Sequence, residues 1–205
     1  MTGDMAALCG RIRACRVCVE TPLGAPLPHE PRPVFQVSET ARVLIAGQAP
    51  GTKVHASGRP FTDPSGERLR VWLTMPPELF YDAQAVAIVP MGLCFPGQDA
   101  KGADLPPRKE CAPTWRAELL AALADVRLVL AVGQYAHGWH VPKALRGRTL
   151  TETVRNWRDV VAATDPPVVP LPHPSWRNNA WLKKNPWFAE ELLPDARAAL
   201  ARALG

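Results

Sequence analysis

The segment Arg42-Val43-Leu44-Ile45-Ala46-Gly47-Gln48-Ala49-Pro50-Gly51 passes from an aliphatic run straight into a turn bracketed by two glycines. The run is too short for a helix and does not alternate between apolar and polar residues. A strand covered on both faces, as in the middle of a parallel sheet, reads this way. Three more runs have the same character: Ala85–Val89, Leu128–Val132 and Val168–Leu171. Stretches with helical spacing lie around and between them. They are about Asp4–Ala14, Ser65–Met75 with Leu69, Trp72 and Leu73 on one face, Pro113–Ala124, Thr151–Ala162, and about Pro186–Leu204. Thr149 and Glu152 have the spacing of a capping box at the start of the fourth. Strands alternating with helices predict a three-layer α/β/α sandwich around a central four-stranded parallel sheet. One domain over residues 1–205 is expected.

The composition fits that picture. Hydrophobic residues make up 47% and charged residues 21% of the chain, which excludes disordered, collagen-like and coiled-coil classes. No apolar run approaches the roughly 18 residues that span a bilayer. The first eighteen residues lack the pattern of a secretory signal. A cytoplasmic protein with no membrane association is expected, acting as a monomer. In that compartment disulfides are rare, so the five cysteines call for metal binding, catalysis or burial. The net charge of +5 hints at a polyanionic partner.

In open parallel sheets the ligand sits beyond the carboxyl ends of the strands. Four segments therefore hold the candidate site: Gly47–Gly51, Pro90–Glu110, Gly133–His137 and Pro172–Ser175. The first is a glycine turn whose backbone can approach a phosphate or a base closely. It is neither a Walker loop nor a dinucleotide fingerprint, and a tight structural turn explains it equally well. His173 is flanked by Pro172 and Pro174, which restrict where its imidazole can move. After it come Trp176, Arg177, Trp181, Lys183, Lys184 and Trp187, aromatic and basic residues interleaved as nucleic acid binding favours. The alternative is tryptophans packed on the core with solvated lysines. Cys15-x-x-Cys18 offers a two-thiol bite, and Cys94 and Cys111, separated by sixteen residues, offer two more. Four thiolates suit an iron–sulfur cluster or zinc, with buried thiols as the plain alternative. Cys9 is left over and is expected in the core.

Together these motifs resemble the uracil-DNA glycosylase superfamily, most closely its family 4, the iron–sulfur type. Gly47-Gln48-Ala49-Pro50-Gly51 is similar to that family's Gly-Glu-Ala-Pro-Gly motif, Gly58-Arg59-Pro60-Phe61 to its Gly-x-Pro-Phe segment, and His173-Pro174-Ser175 to its His-Pro-Ser motif. Cys15, Cys18, Cys94 and Cys111 match its four cluster ligands in order. The resemblance implies hydrolysis of the N-glycosidic bond of uracil or another deaminated base in DNA, with a [4Fe-4S] cluster as cofactor and zinc as the alternative. It implies His173 as the donor to the departing base and Phe61 as the ring that stacks on it. Gly47, Ala49, Pro50, Gly51, Ser175, Arg177 and Asn178 would then bind substrate, with Lys53, Lys183 and Lys184 on phosphates.

Two positions depart from family 4. Pro90 stands where that family carries a base-recognising Asn, and Gln48 stands where it carries Glu. Phe61-Thr62-Asp63-Pro64-Ser65-Gly66 is similar to a family 5 segment in which the Asp replaces the absent acid. Asp63 is thus the expected water-positioning carboxylate beside Gln48 and His173. Asp followed by Pro is also the signature of a helix N-cap. Two other classes stay open: a lesion-binding protein of the same fold with altered catalysis, and an α/β enzyme acting on a free nucleotide.

Overall fold

A computed structural model describes residues 3–205; residues 1 and 2 of the expected 1–205 unit lie outside it. The strands are β1 (Val43–Ala46), β2 (Val86–Ile88), β3 (Leu128–Val132) and β4 (Val168–Leu171). They form one all-parallel sheet in the order β2-β1-β3-β4. Val43 stands opposite Val86 on one side and Leu128 on the other, and Val129 stands opposite Val168. Every strand residue is buried.

The helices are α1 (Gly3–Arg13), α2 (Val17–Glu20), α3 (Thr52–Ser57), α4 (Pro64–Leu73), α5 (Pro77–Phe80), α6 (Cys111–Ala122), α7 (Gln134–His140), α8 (Leu150–Arg155), α9 (Trp157–Ala162), α10 (Asn179–Lys184) and α11 (Leu193–Leu204). Successive strand side chains point to opposite faces. Val43, Ile45, Ile88 and Leu130 accordingly join a core with residues of α4, α8 and α11, such as Leu69, Val154 and Leu200. Leu44, Ala46, Val89 and Ala131 join a second core with residues of α1, α6 and α7, such as Leu8, Leu119 and Ala136. The three-layer α/β/α arrangement follows from this two-sided burial.

Several elements differ from the sequence reading. Helices α2, α3, α5, α7 and α10 have four to seven residues, too short to show a period. The expected helix Thr151–Ala162 is two helices. Its capping box is present at Thr149 and Glu152, but Asn156 interrupts it, donating from Nδ2 to the Leu145 carbonyl at 3.2 Å. The last helix is preceded by a π-helical turn at Phe188–Leu192. Pro194 has no N–H for the carbonyl one turn back, so a continuous α-helical ladder cannot cross that point. Among the described residues no helix is long and apolar enough to cross a membrane.

Candidate active site

A cavity of about 770 Å³ opens at the carboxyl ends of the strands. Gly47, Gln48, Ala49, Pro50 and Gly51 line it from one side, and Phe61 and Asp63 from another. His173, Ser175, Arg177 and Asn178 complete the expected catalytic and substrate-binding residues, all of which line this one cavity. The glycine turn is tied to the next strand end: Met91 N–H donates to the Gly47 carbonyl and Gly92 N–H to the Gln48 carbonyl, both at 2.9 Å. A side chain at Gly47 would place its Cβ 3.2 Å from Phe61 Cζ and 4.0 Å from Pro90 Cβ. Glycine at 47 therefore keeps a slot open between Phe61 and Pro90, both of which line the cavity.

Phe61 has φ +53°, a left-handed conformation that is costly for a bulky residue, about 1–3 kcal/mol. Its surroundings fix it there. The Phe61 carbonyl accepts from Tyr81 O–H at 3.0 Å and from Arg70 Nη1 at 3.4 Å. Gly66 of α4 packs directly on that carbonyl. Phe80 meets the Phe61 ring edge-on, with centroids 6.0 Å apart.

His173 follows β4. Gly133, at φ +85°, donates its N–H to the Leu171 carbonyl at 2.9 Å, and a Cβ there would stand 3.4 Å from the His173 Cβ. His173 Nδ1 accepts from the Ser175 N–H at 3.3 Å. That bond assigns the proton of the neutral ring to Nε2. Burial lowers the pKa of the imidazole, opposed by the nearby carboxylates of Asp63 and Asp104. His173 is thus a neutral ring with one N–H to donate.

Asp63 caps α4, with Pro64 as the next residue and the Gly66 N–H donating to Oδ1 at 3.2 Å. It also lines the cavity. The cap and the placement beside His173 coexist.

The rim is stitched together around the second motif. Asn178 Nδ2 donates to the His173 carbonyl at 2.6 Å. Arg68 of α4 donates from Nη1 to the Ser175 carbonyl at 3.2 Å and to Asn179 Oδ1 at 2.8 Å. Trp176 is 72% exposed here, with the Arg177 guanidinium 5.8 Å from its ring centre. Trp181 and Trp187 instead turn inward. Trp181 Nε1 donates to Thr151 Oγ1 at 2.8 Å, and Trp187 stacks on Trp157 at 5.8 Å. Only the first part of the aromatic and basic segment therefore faces the cavity. Lys53 lines the cavity, while Lys183 and Lys184 lie exposed on α10, outside the lining.

A model of the uracil DNA glycosylase superfamily matches residues 34–197. The chain belongs to that superfamily. Uracil DNA glycosylases and their relatives are typically hydrolases of N-glycosidic bonds, and their partner is DNA. The matched stretch carries all four strands, both motif loops, Cys94 and Cys111, and begins after Cys15 and Cys18.

The four cysteines expected as cluster ligands in this glycosylase-superfamily chain are free thiols gathered round a second, much smaller pocket walled by Ile12, Pro31 and Leu93. Trp115 Nε1 donates to Cys15 Sγ and the Leu93 N–H to Cys111 Sγ, each at 3.2 Å. Burial in this apolar setting pushes the Cys94 and Cys111 thiols up to about 12. Among the described residues no group of three or more His, Cys, Asp or Glu side chains is placed to hold a single metal ion. Cys9 packs in the core beside α6, as expected.

Arg68 escaped the sequence reading of this glycosylase-superfamily site, and Gln134 and Asp104, inside two of the marked segments, were not singled out there. Arg68 carried a usable signal, since it precedes the buried Leu69 on α4 and so flanks the apolar face near Asp63. Gln134 follows Gly133 at the start of α7, a helix too short to be read. Asp104 sits in the long loop after β2 and had no periodic signal. A small hairpin delivers it: Gln98 bridges to Asp104, and the Leu105 N–H donates to the Gly97 carbonyl at 2.9 Å. Asp104 Oδ2 would lie 2.9 Å from a Cβ on Gly51, so that glycine leaves room for the carboxylate. His137, quoted with the third loop, is structural. Its Nε2 lies 3.1 Å from the Ala131 carbonyl and 2.9 Å from that of Leu171.

Proposed function

We propose that this chain is a DNA glycosylase that hydrolyses the N-glycosidic bond of uracil or another deaminated base. The observation that carries the reading is His173, with its Nε2–H free to donate, in one cavity with the Asp63 carboxylate and the fixed Phe61 ring. A target base must leave the DNA stack before it can reach such a cavity. In the slot the base lies against Phe61. As the glycosidic bond breaks, negative charge gathers on the base and positive charge on the sugar. His173 donates to the base oxygen, a preorganised bond worth about 3–4 kcal/mol of barrier. Asp63 favours the cationic sugar and orients the attacking water, with Gln48 beside it. Arg177 and Trp176 hold the DNA at the rim, Lys53 meets a phosphate, and the chain works as a monomer in the cytoplasm.

The four cysteines support the iron–sulfur branch of the superfamily. Two N–H groups aimed at cysteine sulfurs are the outer contacts that thiolate ligands use. Cys15, Cys18, Cys94 and Cys111 would hold a [4Fe-4S] cluster, whose role would be structural, because the hydrolysis involves no net oxidation or reduction. Zinc, the alternative, would require the thiols to draw in on one ion, since no three of the described side chains are placed to hold one.

The test is base release from oligonucleotides carrying uracil, hypoxanthine or xanthine, read as abasic sites cleaved by alkali. Release from at least one is expected. Tight binding to abasic or mismatched DNA with no release from any would instead mark a lesion-binding protein.

A further inference from the structure

The Pro90 side of the slot has its hydrogen-bonding groups accounted for elsewhere. From Val89 to Gly92 each N–H is committed: Val89 donates to the Ile45 carbonyl at 3.0 Å, Pro90 has none, Met91 donates to Gly47 and Gly92 to Gln48. The two carbonyls that precede the turn are also held. Arg116 of α6 donates from Nη1 to the Val89 carbonyl at 3.2 Å and to the Pro90 carbonyl at 3.3 Å. Arg116 is 2% exposed and lies outside the cavity lining, so these carbonyls point away from the slot.

The guanidinium is itself held from behind. His140 Nε2 lies 3.2 Å from Arg116 Nε and 2.5 Å from Nη2. Burial, then the adjacent Arg116 charge, lowers His140 to about 3, so it stays neutral and accepts. Partners of this kind are carbonyls and an imidazole, with no carboxylate to neutralise the charge. A buried cation held this way is costly unless every donor is satisfied. What it achieves is a fixed orientation of the Val89–Pro90 edge.

We propose that the Pro90 wall discriminates bases by fit alone, offering no hydrogen bond to the base edge, and that Arg116 is the positioning residue that keeps it so. The inference rests on the glycosylase reading for its ligand, a base flipped from DNA. Uracil and hypoxanthine then compete on shape against this wall, with recognition of their polar edges left to the opposite side of the cavity.

The experiment measures affinity for single-stranded oligonucleotides carrying uncleavable 2′-fluoro deoxyuridine or 2′-fluoro deoxyinosine, against an unmodified strand. Pro90→Asn and Pro90→Leu are compared, since both gain an N–H and have similar shape, and they differ in the side-chain amide. The uracil-to-hypoxanthine affinity ratio should differ between them by about tenfold or more, because only the Asn adds a hydrogen-bonding group to the wall. Arg116→Lys keeps the charge but cannot span both carbonyls and His140. It should shift the ratio by about threefold or more while its thermal melt stays cooperative. Equal ratios in the Asn and Leu variants overturn the proposal, whether or not the Arg116 variant folds. So does a wild-type chain that binds all three strands equally. If the ratios behave as expected but the cleavable strands lose no base, the glycosylase reading fails and the wall assignment stands.

Discussion

A methyl group on Gly66 would come within 1.9 Å of the Phe61 carbonyl oxygen. The left-handed Phe61 and the first turn of α4 thus fit only if residue 66 is glycine. Gly66→Ala should destabilise the fold by about 1–3 kcal/mol or more, the usual cost of overpacking. A lower denaturant midpoint with an unchanged slope would show it. A midpoint equal to that of wild type would mean Phe61 is not held as described.

Asp63 both caps α4 and faces His173, and two substitutions separate the roles. Asn caps helices as well as Asp does, whereas Ala costs about 1 kcal/mol. Asp63→Asn should therefore melt near wild type yet lose most base release. Asp63→Ala should lose both. Full activity in the Asn variant would reduce Asp63 to a cap.

His173→Ala should lower the rate of base release by about 10²–10³, the range for removing one preorganised donor. Binding to an abasic product should change far less, since the base is already gone. A rate loss under threefold would remove His173 from the mechanism.

Acid should destabilise the folded chain through its histidines. Burial holds His137 at about 4 and His140 at about 3, against an ordinary 6.5, and lowers His173 as well. Between those values the unfolded chain binds protons that the folded chain does not, so stability rises with pH. The contribution is complete above about 6.5 and is lost as pH falls from there toward 4 and then 3. For His137 alone it is on the order of 3 kcal/mol. Melting temperature measured from pH 7 down to 4 should drop steadily, and less steeply in His140→Gln. The activity should fall on the acid side only below the ordinary histidine range.

Cys94→Ser should strip bound iron from protein purified without air, where about four irons per chain are expected for a [4Fe-4S] cluster. Iron and acid-labile sulfide analysis reads this directly. Zinc at one per chain would replace the cluster by its alternative.

Much of the fold was legible because its strands are short, aliphatic and buried on both sides, as Val43–Ala46 and Leu128–Val132 are. The site was legible wherever a motif is contiguous, as at Gly47–Gly51 and His173–Ser175. What stayed hidden depends on distance in space. Arg68 meets Ser175 and Asn179 across more than a hundred residues. Asp104 reaches the cavity only because a hairpin folds back on Gly51. Trp181 and Trp187 have the residue types of a nucleic-acid surface, and only their contacts with Thr151 and Trp157 reveal them as half-buried against the core.

The strand order β2-β1-β3-β4 places each half of the chain in its own half of the sheet. The crossover from β2 to β3 contains the long loop, whose tip at Lys101 and Gly102 is exposed. A single tryptic cut after Lys101 would therefore divide the molecule into two complementary pieces, each keeping an intact pair of neighbouring strands. The pieces would remain joined by the β1–β3 ladder and both hydrophobic cores, and the cavity draws its lining from both of them.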